Sequence, residues 1–173
     1  FPERIGQYAL QICTLQMLRL AANSARARLG AAVMSDMSLA RYEGFDALPE
    51  ARVLARKLDE QERESREAGI HLIVVQSADG SLVVGDSHVY GASPEPFARA
   101  RFDELILDEF DRVFDLPRRE VVQRWTGSYV SASDRTALID KPADHIRLVM
   151  VTGGTGASTG FALGEQAIAE LYS

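Results

Sequence analysis

The sequence predicts an α+β fold built on a largely antiparallel sheet with packing helices, and four stretches carry that expectation. Residues 70–91, IHLIVVQSADGSLVVGDSHVYG, hold two apolar runs on either side of Ala78-Asp79-Gly80. An Asp-Gly step between such runs favours a tight hairpin, because glycine tolerates positive φ. Residues 49–67 and 94–116 instead space their apolar side chains for helices that begin at a proline. Residues 151–173, VTGGTGASTGFALGEQAIAELYS, run from an apolar strand through closely spaced glycines into a helical pattern. Adjacent strands joined by tight turns, with helices set between them, are the mark of α+β rather than alternating α/β organisation.

The elements follow in order. Residues 10–20, LQICTLQMLRL, set Leu10, Ile12, Leu15, Met17 and Leu20 in an imperfect alternation with Gln16 and Arg19 between them, and predict a strand. Within residues 21–46 the run MSLARYEGF, 37–45, is read as a second strand. The helix from Pro49 has Val53 or Leu54 and then Leu58 as its apolar positions, with a solvated acidic second half from Asp59 to Glu67, and Gly69 stops it. Strands Ile70–Gln76 and Ser81–Val84 make the hairpin. Ser93, Pro94 and Glu95 open the long amphipathic helix, whose apolar positions are Phe97, Leu105, Phe110, Val113 and Phe114, and Pro117 closes it. REVVQRWTGSYVSAS, 119–133, and HIRLVMV, 145–151, read as strands separated by a loop with Asp134, Asp140 and Pro142. The expectation is about five or six strands, two long helices and a short final one.

Composition narrows the function classes. The chain has 173 residues, 46% hydrophobic and 25% charged, enough for one real core. A formal charge of −6 opposes nucleic acid as a partner. One cysteine, Cys13, makes no internal disulfide and suits a reducing, cytoplasmic setting, and no Cys/His cluster has metal-ligand spacing. No apolar run approaches the ~20 residues of a membrane span, and FPERIGQYAL lacks a secretory pattern. The first residue is not methionine, so we expect a chain that begins within a longer protein.

The closing stretch has two readings. A dinucleotide fingerprint needs an acidic residue ~20 positions beyond its glycines, on a further strand, and the sequence ends at Ser173. What stands here is either a glycine-rich turn that brings backbone amides and a helix N-terminus to a flat or anionic ligand, or a plain strand-to-helix connection. Phe161, Ile168 and Tyr172 share one face of the following helix and call for an apolar partner.

The order of motifs along nearly the whole chain resembles the C-terminal half of the D-amino-acid oxidase-like flavin enzymes, which include glycine and sarcosine oxidases. The resemblance lies in CTLQMLRL, HLIVVQSADGSLVVGDS, RWTGSYVSASD and the closing glycine-rich loop and helix. More narrowly, LQMLR, DGSLVVGDSHVYG and RWTGSYVS are similar to a bacterial branch associated with phosphonate metabolism. It implies a substrate-binding α+β domain over 1–147, and a C-terminal strand-loop-helix, 148–173, belonging to an FAD-binding domain whose pyrophosphate fingerprint would precede Phe1. It further implies FAD as cofactor, oxidation of a small amine by hydride transfer to flavin, and the N-terminal FAD-binding half of the same protein as partner of the closing helix. This chain alone would then be inactive, and its apolar helix face would be exposed, disordered or covered by another copy.

By the same resemblance, Gly153, Gly154, Thr155, Gly156, Ala157, Ser158 and Thr159 match the loop beside the isoalloxazine ring. Tyr129 and Trp125 fall on the strand that lines the substrate pocket, with plain core packing as their other reading. His88 follows the hairpin near a place from which relatives reach the active site, or is a partly exposed loop histidine. His71 and His145 read as structural or solvated. The relatives hold the substrate carboxylate with an arginine in the strand corresponding to WTGSYVSAS. Here that neighbourhood is Gly127-Ser128-Tyr129, which leaves the anion to another arginine such as Arg41. No catalytic residue is assigned. The other classes open on sequence grounds are a non-catalytic ligand-binding or interaction domain and a phosphate-binding enzyme of unrelated fold.

Overall fold

The structure is a computed structural model of the chain and describes residues 1–21, 28–116 and 119–172. It is α+β with antiparallel sheets and divides into two compact units. One comprises residues 14–89 and 95–127, the other residues 1–13, 90–94 and 128–173. The strands β1 (Leu10–Ala21) and β6 (Glu120–Ala132) each begin in one unit and end in the other. No helix among the described residues is long and apolar enough to cross a membrane.

The core of the first of these units is a hairpin laid beside β1. Strands β3 (Ile73–Gln76) and β4 (Leu82–Gly85) pair antiparallel, as the Asp-Gly step predicts. In the turn Gly80 takes φ +85°, and the Asp79 carboxylate accepts bonds from the Ser81 amide at 2.9 Å and hydroxyl at 2.6 Å. The pairings Val74 with Val84 and Val84 with Leu18 put three buried side chains in one row. Leu20, Leu72, Ile70, Leu105, Ile106 and Phe110 complete that core. The edge strand β2 (Val33–Met34) pairs with β3, β4 pairs with β1, and β6 also pairs with β1. The short β5 (Val89–Gly91) follows the hairpin.

Several elements depart from the sequence expectation for identifiable reasons. The inward face of β1 is Thr14, Gln16, Leu18 and Leu20, whereas Leu15 and Met17 are half-buried on the other side. Gln16 can sit inside because its amide is satisfied: Nε2 donates to the Arg99 carbonyl at 2.9 Å and to the Asp103 carboxylate, and Oε1 accepts from the Arg99 amide at 2.8 Å. That clamp holds residues 94–99 outside the helix. The helix α6 therefore runs over Ala100–Val113 and does not begin at Pro94, and Phe97 is exposed. Pro96, two residues after Pro94, also biases Glu95 away from helical backbone.

The run 37–45 is not a strand. It contributes two short helices, α2 (Asp36–Leu39) and α3 (Glu43–Asp46), and Ser38 within α2 sends its hydroxyl to the Leu72 carbonyl at 3.2 Å. The helix from Pro49 breaks at Glu62 (φ −127°, ψ 39°), giving α4 (Pro49–Gln61) and α5 (Arg63–Glu67). Gly69 ends α5 at φ +62°, with Ile70 N–H bonded to Ser65 O and Gly69 N–H to Arg66 O. This is a glycine-terminated helix end that satisfies the last carbonyls.

In the other unit, the segment expected as a loop is a strand, β7 (Ala137–Ala143), paired with β8 (Ile146–Val151). Asp140 is tolerated there because Arg4 grips its carboxylate through two bonds, at 2.7 and 2.8 Å. Pro142 falls within the register shift between Asp140 and Ala143, where a missing N–H costs no ladder bond. The short helix α1 (Pro2–Ile5) carries Arg4. The final helix α7 (Gly156–Tyr172) is long, 17 residues, not short. Its Ala167 is buried, and its C-terminal end meets Arg147, whose guanidinium donates to the Glu170 carbonyl at 2.9 Å.

Candidate functional site

The closing loop is anchored at Thr152, which is fully buried. Its amide donates to Thr136 O at 2.9 Å, its hydroxyl to Arg135 O at 2.6 Å, and its carbonyl accepts from the Ala132 amide at 3.1 Å. From that fixed base residues 153–158 stand exposed. Gly154 takes φ +74°, a conformation in which only glycine is free of strain. The carbonyl of Thr155 accepts the Ser158 and Thr159 amides, both at 3.0 Å, and their hydroxyls as well. Those two side chains are therefore turned back on the helix. The groups that α7 offers outward are backbone amides: Gly156 and Ala157 lie in the first turn, where no carbonyl four residues earlier in the helix can receive them. No acidic side chain stands in that turn to neutralise the positive end of the helix.

Tyr129 meets this loop. A Cβ built on Gly154 would lie 3.1 Å from Cζ and 3.4 Å from the hydroxyl oxygen of Tyr129, so the phenol ring rests directly on the glycine backbone. Two positions expected from sequence, one on the pocket strand and one in the loop, thus come together in one unit. Along α7, Cβ atoms on Gly160 and Gly164 would find nothing within 4 Å. Phe161, Ile168 and Tyr172 are 92%, 56% and 87% exposed, so this side of the helix is bare within its own unit.

The remaining candidates lie in the other unit. Trp125 is partly exposed on the first half of β6. His88 is buried, which overturns its reading as a partly exposed loop histidine: Nδ1 lies 3.0 Å from the Gly69 carbonyl and the ring stacks on His71 at 4.8 Å. Burial pushes the His88 pKa down to about 4; the Asp86 charge opposes this, and Arg41 and His71 add to it. Arg41, half-buried, is therefore a near neighbour of His88. His71, also buried, has Nδ1 3.2 Å from Ser38 Oγ and Nε2 3.0 Å from Asp86 Oδ1, with the Tyr42 ring edge-on to it. Burial, aided by Asp86, raises the Tyr42 pKa and keeps its phenol protonated. His145 is exposed.

The sequence reading found no metal-ligand spacing, yet the fold gathers His71, Asp86 and His88 into a buried cluster. The local signal was Asp86-Ser87-His88; His71 joins it only through the hairpin. A concavity of about 450 Å³ between α5 and α6 holds none of the candidate residues, and its lining charges Glu62, Glu64, Arg101 and Arg112 pair among themselves.

A bare glycine turn on a fixed base, leading into a helix whose positive end is unneutralised, is an arrangement suited to a flat, anionic cofactor. A family profile for FAD dependent oxidoreductases, DAO, matches residues 21–171. The chain belongs to that family, and FAD is the family's cofactor. No curated protein matches the chain. The loop fits the group on its own geometry: it has exposed amides, a positive-φ glycine, and a helix face along which Gly160 and Gly164 leave room for close approach.

Proposed function

We propose that this chain supplies the substrate side and one cofactor edge of an enzyme that oxidises a small amine: an amino acid, an N-methyl amine or an aminophosphonate. Bound FAD would supply the hydride acceptor. The observation that carries the reading is the contact of the Tyr129 ring with Gly154, which joins a candidate pocket side chain to the candidate cofactor loop. Residues 153–159 would hold the cofactor through backbone N–H groups, chiefly those of Gly156 and Ala157, which stabilise negative charge at that edge. The Tyr129 ring would exclude water beside the loop. Residues 148–173 belong, in this reading, to the cofactor domain, and the pyrophosphate cradle lies in another segment of the same cytoplasmic protein.

Substrate choice follows from the residues of β6. An α-carboxylate is best held by the two-pronged fork of an arginine, which Ser128 and Tyr129 do not reproduce. A small α-amino acid forgoes a contact to a charged group worth about 1.5–3 kcal/mol, or roughly one to two powers of ten in selectivity. An aminophosphonate, with its anion further from the nitrogen, does not depend on that contact. Steady-state kinetics of the full-length protein with glycine, sarcosine, 2-aminoethylphosphonate and its N-methyl form test this, with a phosphonate expected to have the highest kcat/KM. A higher value for glycine or sarcosine refutes the substrate assignment.

The bare face of α7 gives a second test. The isolated 173-residue chain should show no saturable FAD binding at micromolar concentration, and sedimentation should show concentration-dependent self-association through Phe161, Ile168 and Tyr172. Stoichiometric, tight FAD binding by the isolated chain would overturn the assignment of the pyrophosphate cradle to another segment.

A further inference from the structure

We propose that His71, Asp86 and His88 form a binding site for one divalent transition-metal ion, held by the Nε2 atoms of the two imidazoles and a carboxylate oxygen. This proposal stands apart from the flavin reading and rests on the geometry of the unit formed by residues 14–89 and 95–127. The three residues are 3%, 8% and 7% exposed, and one ligand atom from each lies within 4.8 Å of the others.

The hydrogen bonds around the cluster fix the tautomers. His88 Nδ1 faces the Gly69 carbonyl at 3.0 Å, a pure acceptor, so that nitrogen carries the proton and Nε2 carries the lone pair. The Ser38 hydroxyl donates to Leu72 O at 3.2 Å, so Ser38 Oγ acts as the acceptor for His71 Nδ1–H, also at 3.2 Å. His71 Nε2 therefore also carries a lone pair. An imidazole whose outer N–H is bonded to a carbonyl or hydroxyl, with Nε2 turned inward, is the usual arrangement of a metal ligand.

Both inward lone pairs meet a carboxylate. Asp86 Oδ1 is 3.0 Å from His71 Nε2, and Asp86 Oδ2 is 3.9 Å from His88 Nε2. Were this a simple ion pair between a protonated His71 and Asp86, the Nε2–H would point along the line to Oδ1. It does not: at 3.0 Å, Oδ1 is buried and has no hydrogen-bond partner. Two electron-rich atoms 3.0 Å apart with no hydrogen bond between them are accounted for by a cation that both can bind. Metal–nitrogen bonds of about 2.0–2.1 Å in a tetrahedral site set neighbouring donors roughly 3.3 Å apart, and the separations of 3.0 and 3.9 Å bracket that value. Imidazole and carboxylate donors suit zinc and its first-row neighbours.

The backbone holds the set in place. The His71 amide donates to Asp86 O at 3.1 Å and the Asp86 amide to His71 O at 2.8 Å, which locks the two ligands across the hairpin. His88 is tied to the helix end by its amide bond to Ala68 O at 3.1 Å. A bound ion would thus cross-link both strands of the hairpin.

The test is calorimetric titration of zinc(II) chloride into the full chain after treatment with chelator. One equivalent should bind saturably, Asp86→Asn and His88→Ala should abolish that binding, and Ser38→Ala should weaken it about 10–100-fold by freeing the His71 ring. His145→Ala, which alters the one remaining histidine, should leave it unchanged. Cobalt(II) added to the unmutated chain provides a reading that needs no variant to fold: two exchangeable, hyperfine-shifted N–H resonances are expected, one from each Nδ1. Absence of saturable uptake, binding that survives Asp86→Asn or His88→Ala in a folded variant, or fewer than two such resonances overturns the proposal.

Discussion

Gly154→Ala tests whether the loop and the pocket strand meet as described. The substitution has two separable costs. At φ +74° an alanine sits in left-handed backbone, a penalty of about 1–2 kcal/mol. Its Cβ would also lie 3.1 Å from Tyr129 Cζ, closer than carbon atoms pack comfortably, so the ring must give way at an overpacking cost of about 1–3 kcal/mol. Tyr129→Ala removes the second cost and leaves the first. The stability difference between glycine and alanine at 154 should therefore be larger by about 1 kcal/mol or more when Tyr129 is present than when it is absent. Urea unfolding midpoints for the four proteins give the coupling directly. Under the proposed function, flavin affinity should follow the same pattern across the four variants, because a displaced Tyr129 and a shifted loop would disturb the proposed cofactor edge. Equal costs of Gly154→Ala in both backgrounds would mean that the phenol does not rest on the loop, and the joining of pocket and cofactor edge would fail with it.

Three further perturbations probe the other unit. With metal chelated away, His88 titrates near 4 when folded and near 6.5 when unfolded. The unfolded chain then takes up the proton first on acidification, so stability is complete above about 6.5 and is lost as pH falls towards 4; the shift corresponds to on the order of 3 kcal/mol. Unfolding free energies across this range should lose that slope in His88→Gln, and an unchanged slope would show that another group titrates. Gly69→Ala combines φ +62° with a Cβ 2.8 Å from the His88 carbonyl oxygen; a loss of about 2 kcal/mol or more is expected in the urea midpoint, and a neutral result contradicts the close approach. Gln16→Leu leaves the Arg99 amide without its partner, whereas the Arg99 carbonyl keeps the Phe102 amide at 3.0 Å; the loss should cost about 1–3 kcal/mol, with faster hydrogen exchange at the Arg99 amide as its specific sign.

The parts of the fold that the sequence reveals are those decided within a few residues. Asp79 and Gly80 specify their turn by a side-chain bond and a positive φ, and the strands on either side follow. The turn at Gly153 to Gly156 and the helix beyond it are equally local. Errors arose where a distant group overrides the local pattern. Gln16 looks like an outward residue in an apolar run, and only the Arg99 backbone and Asp103, far along the chain, make it an inward one. The same bonds delay α6. Asp140 and Pro142 read as loop residues until Arg4 neutralises the first and a register shift accommodates the second.

The same distinction explains why the glycine loop could be nominated from sequence and the histidine cluster could not. Residues 153–159 are contiguous, so glycine content and the strand-helix context suffice. The cluster depends on register. Extending the ladder from Val74 with Val84 and Ile73 with Gly85 places Ser87 opposite His71. The backbone bonds instead pair His71 with Asp86, a slip of one residue beyond the end of the strands. In extended chain a slip of one residue exchanges the two faces, and here it puts a carboxylate, rather than a serine, across from a buried imidazole. The turn fixes the ladder but not this slip, and the cluster's chemistry depends on the slip.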